Sequence, residues 1–191
     1  MQSVALIDYG SGNLRSAEKA LRRAAQTHDL SVDIVVTADP DVVARADRLV
    51  LPGVGAFAAC MGALSSRDGL IAAMTETTIA RGRPFLGICV GMQLLADRGL
   101  EFGETPGLGW IAGDVARLHP VDPSAKIPHM GRNALEHLAD HSLLAGLGDG
   151  AEMYFTHSFA FTPAPSPRPA SSGFSARPSS AFQPMCGILA A

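Results

Sequence analysis

Nowhere in this sequence do apolar residues run on for the roughly 20 positions that a membrane-spanning helix needs, and the chain enters an apolar, strand-like segment at once, with no basic flank or small-residue cleavage site ahead of it. The expectation is a soluble protein that makes no use of a membrane. Cysteine is scarce as well: Cys60, Cys89 and Cys186 lie far apart and form no CxxC pair. That excludes a disulfide framework and a zinc site, and it points to a reducing, cytoplasmic compartment with no metal and no cofactor. Clustered positive charge is missing too. The formal net charge is −3, the isoelectric point is near 6.0, and Lys and Arg are scattered. The electrostatic footprint of a nucleic-acid binder is therefore absent, which leaves small neutral or acidic ligands open.

What is present is a chain of 191 residues without internal repeats, the size of one α/β domain with a single core. Short apolar runs alternate with amphipathic helical stretches, the pattern of βα units feeding a mostly parallel sheet. Strands are predicted at Val4 to Tyr9, Val32 to Val36, Arg48 to Leu51 and Pro84 to Ile88. Between them, Leu14, Ala17, Leu21 and Ala24 recur at helical spacing, and further helices are expected at Pro40 to Ala46, Ala56 to Leu64 and Leu70 to Arg81. Cys89 should open a helix carrying Met92, Leu94 and Leu95, and later strands are expected at Trp110 to Leu118 and Met153 to Phe161. After Phe161 prolines arrive at alternate positions, Pro163 to Pro169, followed by Ser, Ala, Gly and Arg with little apolar pattern. Such a segment buries too little apolar surface to offset its ordering entropy. The expected division is thus a domain over 1–161 and an irregular or disordered tail over 162–191.

The strongest chemical signal is Gly87-Ile88-Cys89-Val90-Gly91, set between an apolar strand and a helix. Flanking glycines admit the sharp turn of a nucleophile elbow, here with Cys in the place of Ser, at the carboxyl end of a sheet. A helix starting at the sulfur favours thiolate over the ordinary thiol pKa of about 8.5. The plainer alternative is a buried core cysteine. Leu51-Pro52-Gly53-Val54-Gly55 ends another strand with a glycine pair, a turn able to aim backbone N–H groups at an oxyanion, although most such turns are only turns. Gly10-Ser11-Gly12-Asn13 follows the first strand but lacks the third glycine of a dinucleotide site, so it reads as a structural turn.

Taken in order, Ile7-Asp8-Tyr9-Gly10-Ser11-Gly12-Asn13-Leu14, Leu51 to Phe57, Phe85 to Leu95, Pro128-His129-Met130-Gly131 and Tyr154-Phe155-Thr156-His157-Ser158 resemble the glutamine amidotransferase subunit of imidazole glycerol phosphate synthase. The resemblance implies a flavodoxin-like α/β domain of the class I, triad type, whose partner is a (β/α)₈-barrel cyclase. It also implies hydrolysis of glutamine to glutamate, with ammonia passed to the barrel for histidine biosynthesis. By position, Cys89 is then the nucleophile, Gly53, Val54 and Gly55 form the oxyanion strand, and Gln93, His157 and Ser158 fall where the family holds glutamine. His129, Met130, Gly131, Arg132 and Asn133 fall at the cyclase interface.

Two departures stand out. The family takes its histidine base and orienting carboxylate from a His-Pro-Glu motif, and no such segment occurs here: the last histidine is His157, the last acidic residue is Glu152, and His119-Pro120 is followed by Val121. Cys186-Gly187-Ile188 reads as the strand that would lead into the motif. Arg132 stands where the family usually has Trp, a charge in place of a flat apolar anchor. The expectation is an enzyme subunit by family with impaired glutaminase activity. A non-catalytic cyclase-binding subunit and a frameshifted, inactive gene product stay open beside it.

Overall fold

The computed structural model describes residues 1–120, 122, 124–135, 144, 146–148, 150–164 and, for the backbone alone, 188–190. In chain order the elements are β1 (Gln2–Ile7), α1 (Leu14–Thr27), β2 (Val32–Thr37), α2 (Pro40–Arg45), β3 (Arg48–Gly53), α3 (Phe57–Ser65), α4 (Leu70–Thr75), β4 (Phe85–Cys89), α5 (Val90–Gln93), β5 (Arg98–Gly99), β6 (Thr105–Pro106), β7 (Gly113–Arg117), β8 (His129–Ala134), β9 (Glu152–His157), β10 (Phe159–Pro163) and β11 (Ile188–Ala190).

The main sheet has the order β2-β1-β3-β4, all parallel, with β11 antiparallel on the outer side of β4. This is the doubly wound arrangement expected from the alternating pattern, and strand order reverses between β1 and β3. Period-two alternation assigns the faces. Val4, Leu6, Ile34 and Val50 pack under Leu14, Ala17 and Leu21 of α1. Ala5, Ile7, Leu49, Leu51 and Phe85 face the larger core with Phe57, Leu64, Leu70 and Met74 from the opposite helices. Trp110 closes that core edge-on against Phe85, ring centroids 5.0 Å apart. The remaining strands form a smaller mixed sheet, β10-β7-β5-β6, and a separate hairpin, β8-β9.

The structure differs from the sequence expectation at several elements. The helix expected over Leu70 to Arg81 changes at Glu76–Ala80 to the wider turn in which the Arg81 N–H reaches the Glu76 carbonyl at 3.0 Å. The helix after Cys89 lasts a single turn, because the carbonyls of Leu94, Leu95, Ala96 and Asp97 accept instead from the N–H groups of residues 107–111. The strand expected over Met153 to Phe161 is two strands broken at Ser158, since β9 pairs with β8 and β10 with β7. Regular pairing also passes the expected boundary at residue 161: Thr162 and Pro163 continue the ladder opposite Asp114 and Gly113. Ile188–Ala190 is strand, matched to Ile88, Gly87 and Leu86 of β4. Cys186, Gly187 and the alternate-proline run beyond residue 164 lie outside the described residues.

Candidate active site

The carboxyl ends of β1, β3 and β4 meet beside the point where strand order reverses, the place at which open α/β sheets offer a crevice. Cys89 stands there, half-buried, with φ 55° and ψ −122°. Left-handed backbone at a residue bearing a Cβ costs on the order of 1–3 kcal/mol, so the surroundings must enforce it. They do so through contact between β3 and the elbow. A Cβ on Gly91 would run into the Leu51 carbonyl oxygen, and one on Gly53 would lie 2.6 Å from the Gly91 nitrogen. Only bare backbone at both positions lets the elbow fold down onto β3, and that contact fixes the bend that carries Cys89. The single-turn α5 contributes less dipole than the longer helix the sequence suggests, so the case for the elbow rests on this backbone geometry.

The register sets Gly53 opposite Cys89, which places the turn Gly53-Val54-Gly55 next to the sulfur-bearing residue. Val54 is exposed, and Gly55 takes a positive φ of 100° before α3 begins. The first N–H groups of α3 find a distant partner: Phe57 donates to a Glu101 carboxylate oxygen at 2.9 Å, supplying the cap that Ala56 lacks.

Beneath this turn lies a polar cluster that sequence reasoning did not connect to the site. The Ser11 hydroxyl donates to the Val54 carbonyl at 2.8 Å, the Cys60 thiol donates to the same oxygen at 3.2 Å, and the Val54 N–H reaches the Ser11 Oγ at 3.4 Å. The Tyr9 hydroxyl is buried beside the Cys60 thiol and the Ser11 hydroxyl without full hydrogen-bond alignment to either. Burial, reinforced by Cys60, pushes its pKa well above the ordinary tyrosine value, so Tyr9 stays a neutral phenol. In the sequence Tyr9 reads as the end of the first strand and Gly10-Ser11-Gly12-Asn13 as a turn, and nothing ties Cys60 to either. Their convergence on Val54 is a tertiary fact.

The residues expected to hold substrate converge in part. Gln93 is buried at the end of α5, with its Nε2 donating to the Phe159 carbonyl at 3.4 Å. His157 Nδ1 donates to that same carbonyl at 3.1 Å, and its Nε2 lies 3.1 Å from His129 Nδ1. His129 Nε2 continues the chain to the Asn133 Oδ1 at 2.9 Å, while its ring stacks on Phe155. Burial holds His157 below the ordinary histidine pKa; the Phe159 carbonyl opposes that and His129 adds to it. Ser158 is half-buried where β9 gives way to β10, its carbonyl accepting from Leu118 at 2.9 Å. On the other face of the hairpin, Met130, Arg132 and Tyr154 are exposed, Tyr154 directly opposite Arg132. Arg132 pairs loosely with Glu152 at 3.5 Å. Gly131, paired with Phe155, alternates onto the His129 face.

Residues 5–186 match the model of the glutamine amidotransferase class-I family. Among curated relatives, a protein of Caulobacter vibrioides named imidazole glycerol phosphate synthase subunit HisH is 63% identical over 163 residues, which span 85% of this chain and 76% of that one. The chain belongs to the HisH family of class-I glutamine amidotransferases. A HisH subunit of Rhodospirillum rubrum is 60% identical over 84% of this chain and 76% of its own length. A solved structure titled as a glutamine amidotransferase superposes with a TM-score of 0.57 at 19% identity, over 83% of this chain and 72% of that one, a likeness of fold alone. HisH membership agrees with the elbow, the flanking glycine turn and the parallel sheet. Among the described residues no group of three His, Cys, Asp or Glu is placed to hold a metal ion, and no helix is long and apolar enough to cross a membrane.

Proposed function

We propose that this chain is the glutamine-hydrolysing subunit of an imidazole glycerol phosphate synthase. In this reading Cys89 attacks the side-chain amide carbon of glutamine, and backbone N–H groups of the Gly53-Val54-Gly55 turn stabilise the oxyanion that forms. Collapse expels ammonia and leaves a γ-glutamyl thioester on the sulfur, which water converts to glutamate. Gln93, His157 and Ser158 line the substrate side. The strand His129–Asn133 meets a (β/α)₈-barrel cyclase, to which the ammonia passes, with Met130 and Arg132 on its exposed face. The observation that carries this reading is the strained, left-handed Cys89 held in register beside Gly53. Glutamate release measured with a cyclase subunit and its ligand present tests it. Release should vanish on Cys89→Ala, and equal release by the two proteins would overturn the assignment.

A second reading, a subunit that docks on the cyclase without glutaminase chemistry, has one observation in its favour. The two described histidines near the site are engaged with each other, with Asn133 and with the Phe159 carbonyl. Tight cyclase binding with no glutamate release would select it.

A further inference from the structure

β5 and β6 form a hairpin, Arg98 opposite Pro106 and Gly99 opposite Thr105, and residues 100–104 are its loop. In the middle of that loop stands Phe102, 93% exposed, the barest large apolar side chain among the described residues. Its backbone is left-handed, with φ 57°. That is an outlier for a bulky residue, and it persists only where the surroundings enforce it. Here both ends of the loop are tied down. The Leu100 N–H donates to the Val115 carbonyl at 2.9 Å, and Glu101 turns inward to accept from the Phe57 N–H at 2.9 Å. Glu104 pairs with Arg98 at 2.9 Å, and Arg98 is itself held by Asp114 at 2.8 Å. A Cβ on Gly99 would enter the Phe57 ring, so the hairpin lies directly on the start of α3.

Phe57 follows the Gly53-Val54-Gly55 turn by two residues, so a loop hydrogen-bonded to it stands at the rim of the Cys89 crevice. Val54, also exposed, lies on that rim. A subunit that hands ammonia to a partner cannot leave the rim open, because ammonia escaping into water is taken up as ammonium. We infer that Phe102 is a pre-set aromatic anchor for the cyclase barrel, seated in an apolar pocket on the barrel face that covers the crevice. The inference rests on the reading of this chain as a cyclase-bound glutaminase. A phenyl side chain buries roughly 150 Å² or more on docking, and a backbone already fixed has little freedom left to lose. Aromatic side chains held this way carry a disproportionate share of interface free energy.

Affinity and stability move apart under substitution, which separates an anchor from a residue that only shapes the loop. In the full chain, Phe102→Ala should weaken binding to the cyclase subunit at least about tenfold, chiefly through faster dissociation. The denaturation midpoint of the free subunit should stay at the wild-type value. Phe102→Gly, which relaxes the left-handed backbone, should raise that midpoint while losing as much affinity. Leu30→Ala is the control: Leu30 is 59% exposed just before β2, at the opposite end of the sheet from the crevice, and its variant should bind as wild type. Wild-type affinity in Phe102→Ala, or an equal loss in Leu30→Ala, overturns the anchor alone. A lowered midpoint in Phe102→Gly would give the ring a role in holding the loop and overturns it as well. So does a free wild-type chain that sediments as a dimer while Phe102→Ala sediments as a monomer, which assigns the ring to a second copy. Failure of the wild-type protein to bind the cyclase overturns the partner reading, and the anchor with it.

Discussion

Gly53 and Gly91 press backbone to backbone, the nitrogen of Gly91 lying 2.6 Å from where a Cβ of Gly53 would stand. That contact seats the elbow on β3 and sets Cys89 beside the turn at residues 53–55. Gly91→Ala should therefore cost about 3 kcal/mol or more, since its Cβ meets the Leu51 carbonyl and neither partner can move without breaking the sheet. Gly62, inside α3 with nothing within 4 Å of its Cβ position, is the contrast. Gly62→Ala should stabilise by up to about 1 kcal/mol through helix propensity. Denaturant midpoints of the two variants decide; similar losses for both would remove the packing argument.

The alternation of apolar strands and amphipathic helices made the parallel sheet legible, and Gly-Ile-Cys-Val-Gly made the elbow legible, because each is a local signal. Other features were set by partners distant in sequence. β8 runs through His129, Met130, Gly131, Arg132 and Asn133, a mixture without the apolar contrast of a buried strand, and only pairing with β9 defines it. The end of α5 is decided by residues 107–111, which take the carbonyls a longer helix would have used. Ser11 and Cys60 are 49 positions apart and reveal their shared target only when folded.

Cys89 and Cys60 should part company under alkylation. Cys60 is buried, with 1% of its surface exposed, and its thiol is committed to the Val54 carbonyl; Cys89 is only partly covered at the strand ends. Thiol reactivity needs access as well as thiolate. A glutamine-mimicking electrophile should label Cys89 in the native protein and leave Cys60 unmodified until denaturant is added. Equal labelling under native conditions would mean the site is not formed.

Glutaminase turnover of the 191-residue polypeptide should be low. Without a His-Pro-Glu segment no histidine is supplied by that route to take the thiol proton and return it to the leaving ammonia. General acid–base assistance contributes roughly 10²–10⁴-fold, so turnover should fall short of a HisH subunit carrying that segment by about this factor. Side-by-side assays with one cyclase measure the ratio, and equal rates would show that another group serves as base.

The histidine pair gives the hairpin a pH dependence with a definite sign. His157 is held below its unfolded value of about 6.5, first by burial and further by His129, against the opposing pull of the Phe159 carbonyl. Above that value neither state is charged at His157, and its contribution to stability is fully present. As the pH falls through 6.5 and on through the lower folded value, the unfolded chain takes up the proton first, and this contribution is lost. The denaturation midpoint should drop between about pH 7.5 and pH 5, and His157→Gln should flatten that part of the curve. An unchanged slope in the variant would assign the loss to other groups.

Arg132 offers the most direct test of the docking face. It is 75% exposed, lies opposite the exposed Tyr154, and holds Glu152 only at 3.5 Å, an ion pair worth between zero and about 1 kcal/mol at such exposure. Removing the guanidinium therefore costs the isolated hairpin little. Arg132→Trp adds a large flat apolar surface beside Tyr154 and Met130, and aromatic anchors at the centre of an interface commonly contribute about 2 kcal/mol or more. Cyclase affinity should rise at least about tenfold in the variant, chiefly through slower dissociation, with the denaturation midpoint of the free subunit unchanged. Weaker binding would mean instead that the arginine meets a carboxylate on the partner, and that the charge at this position belongs to the interface as it stands.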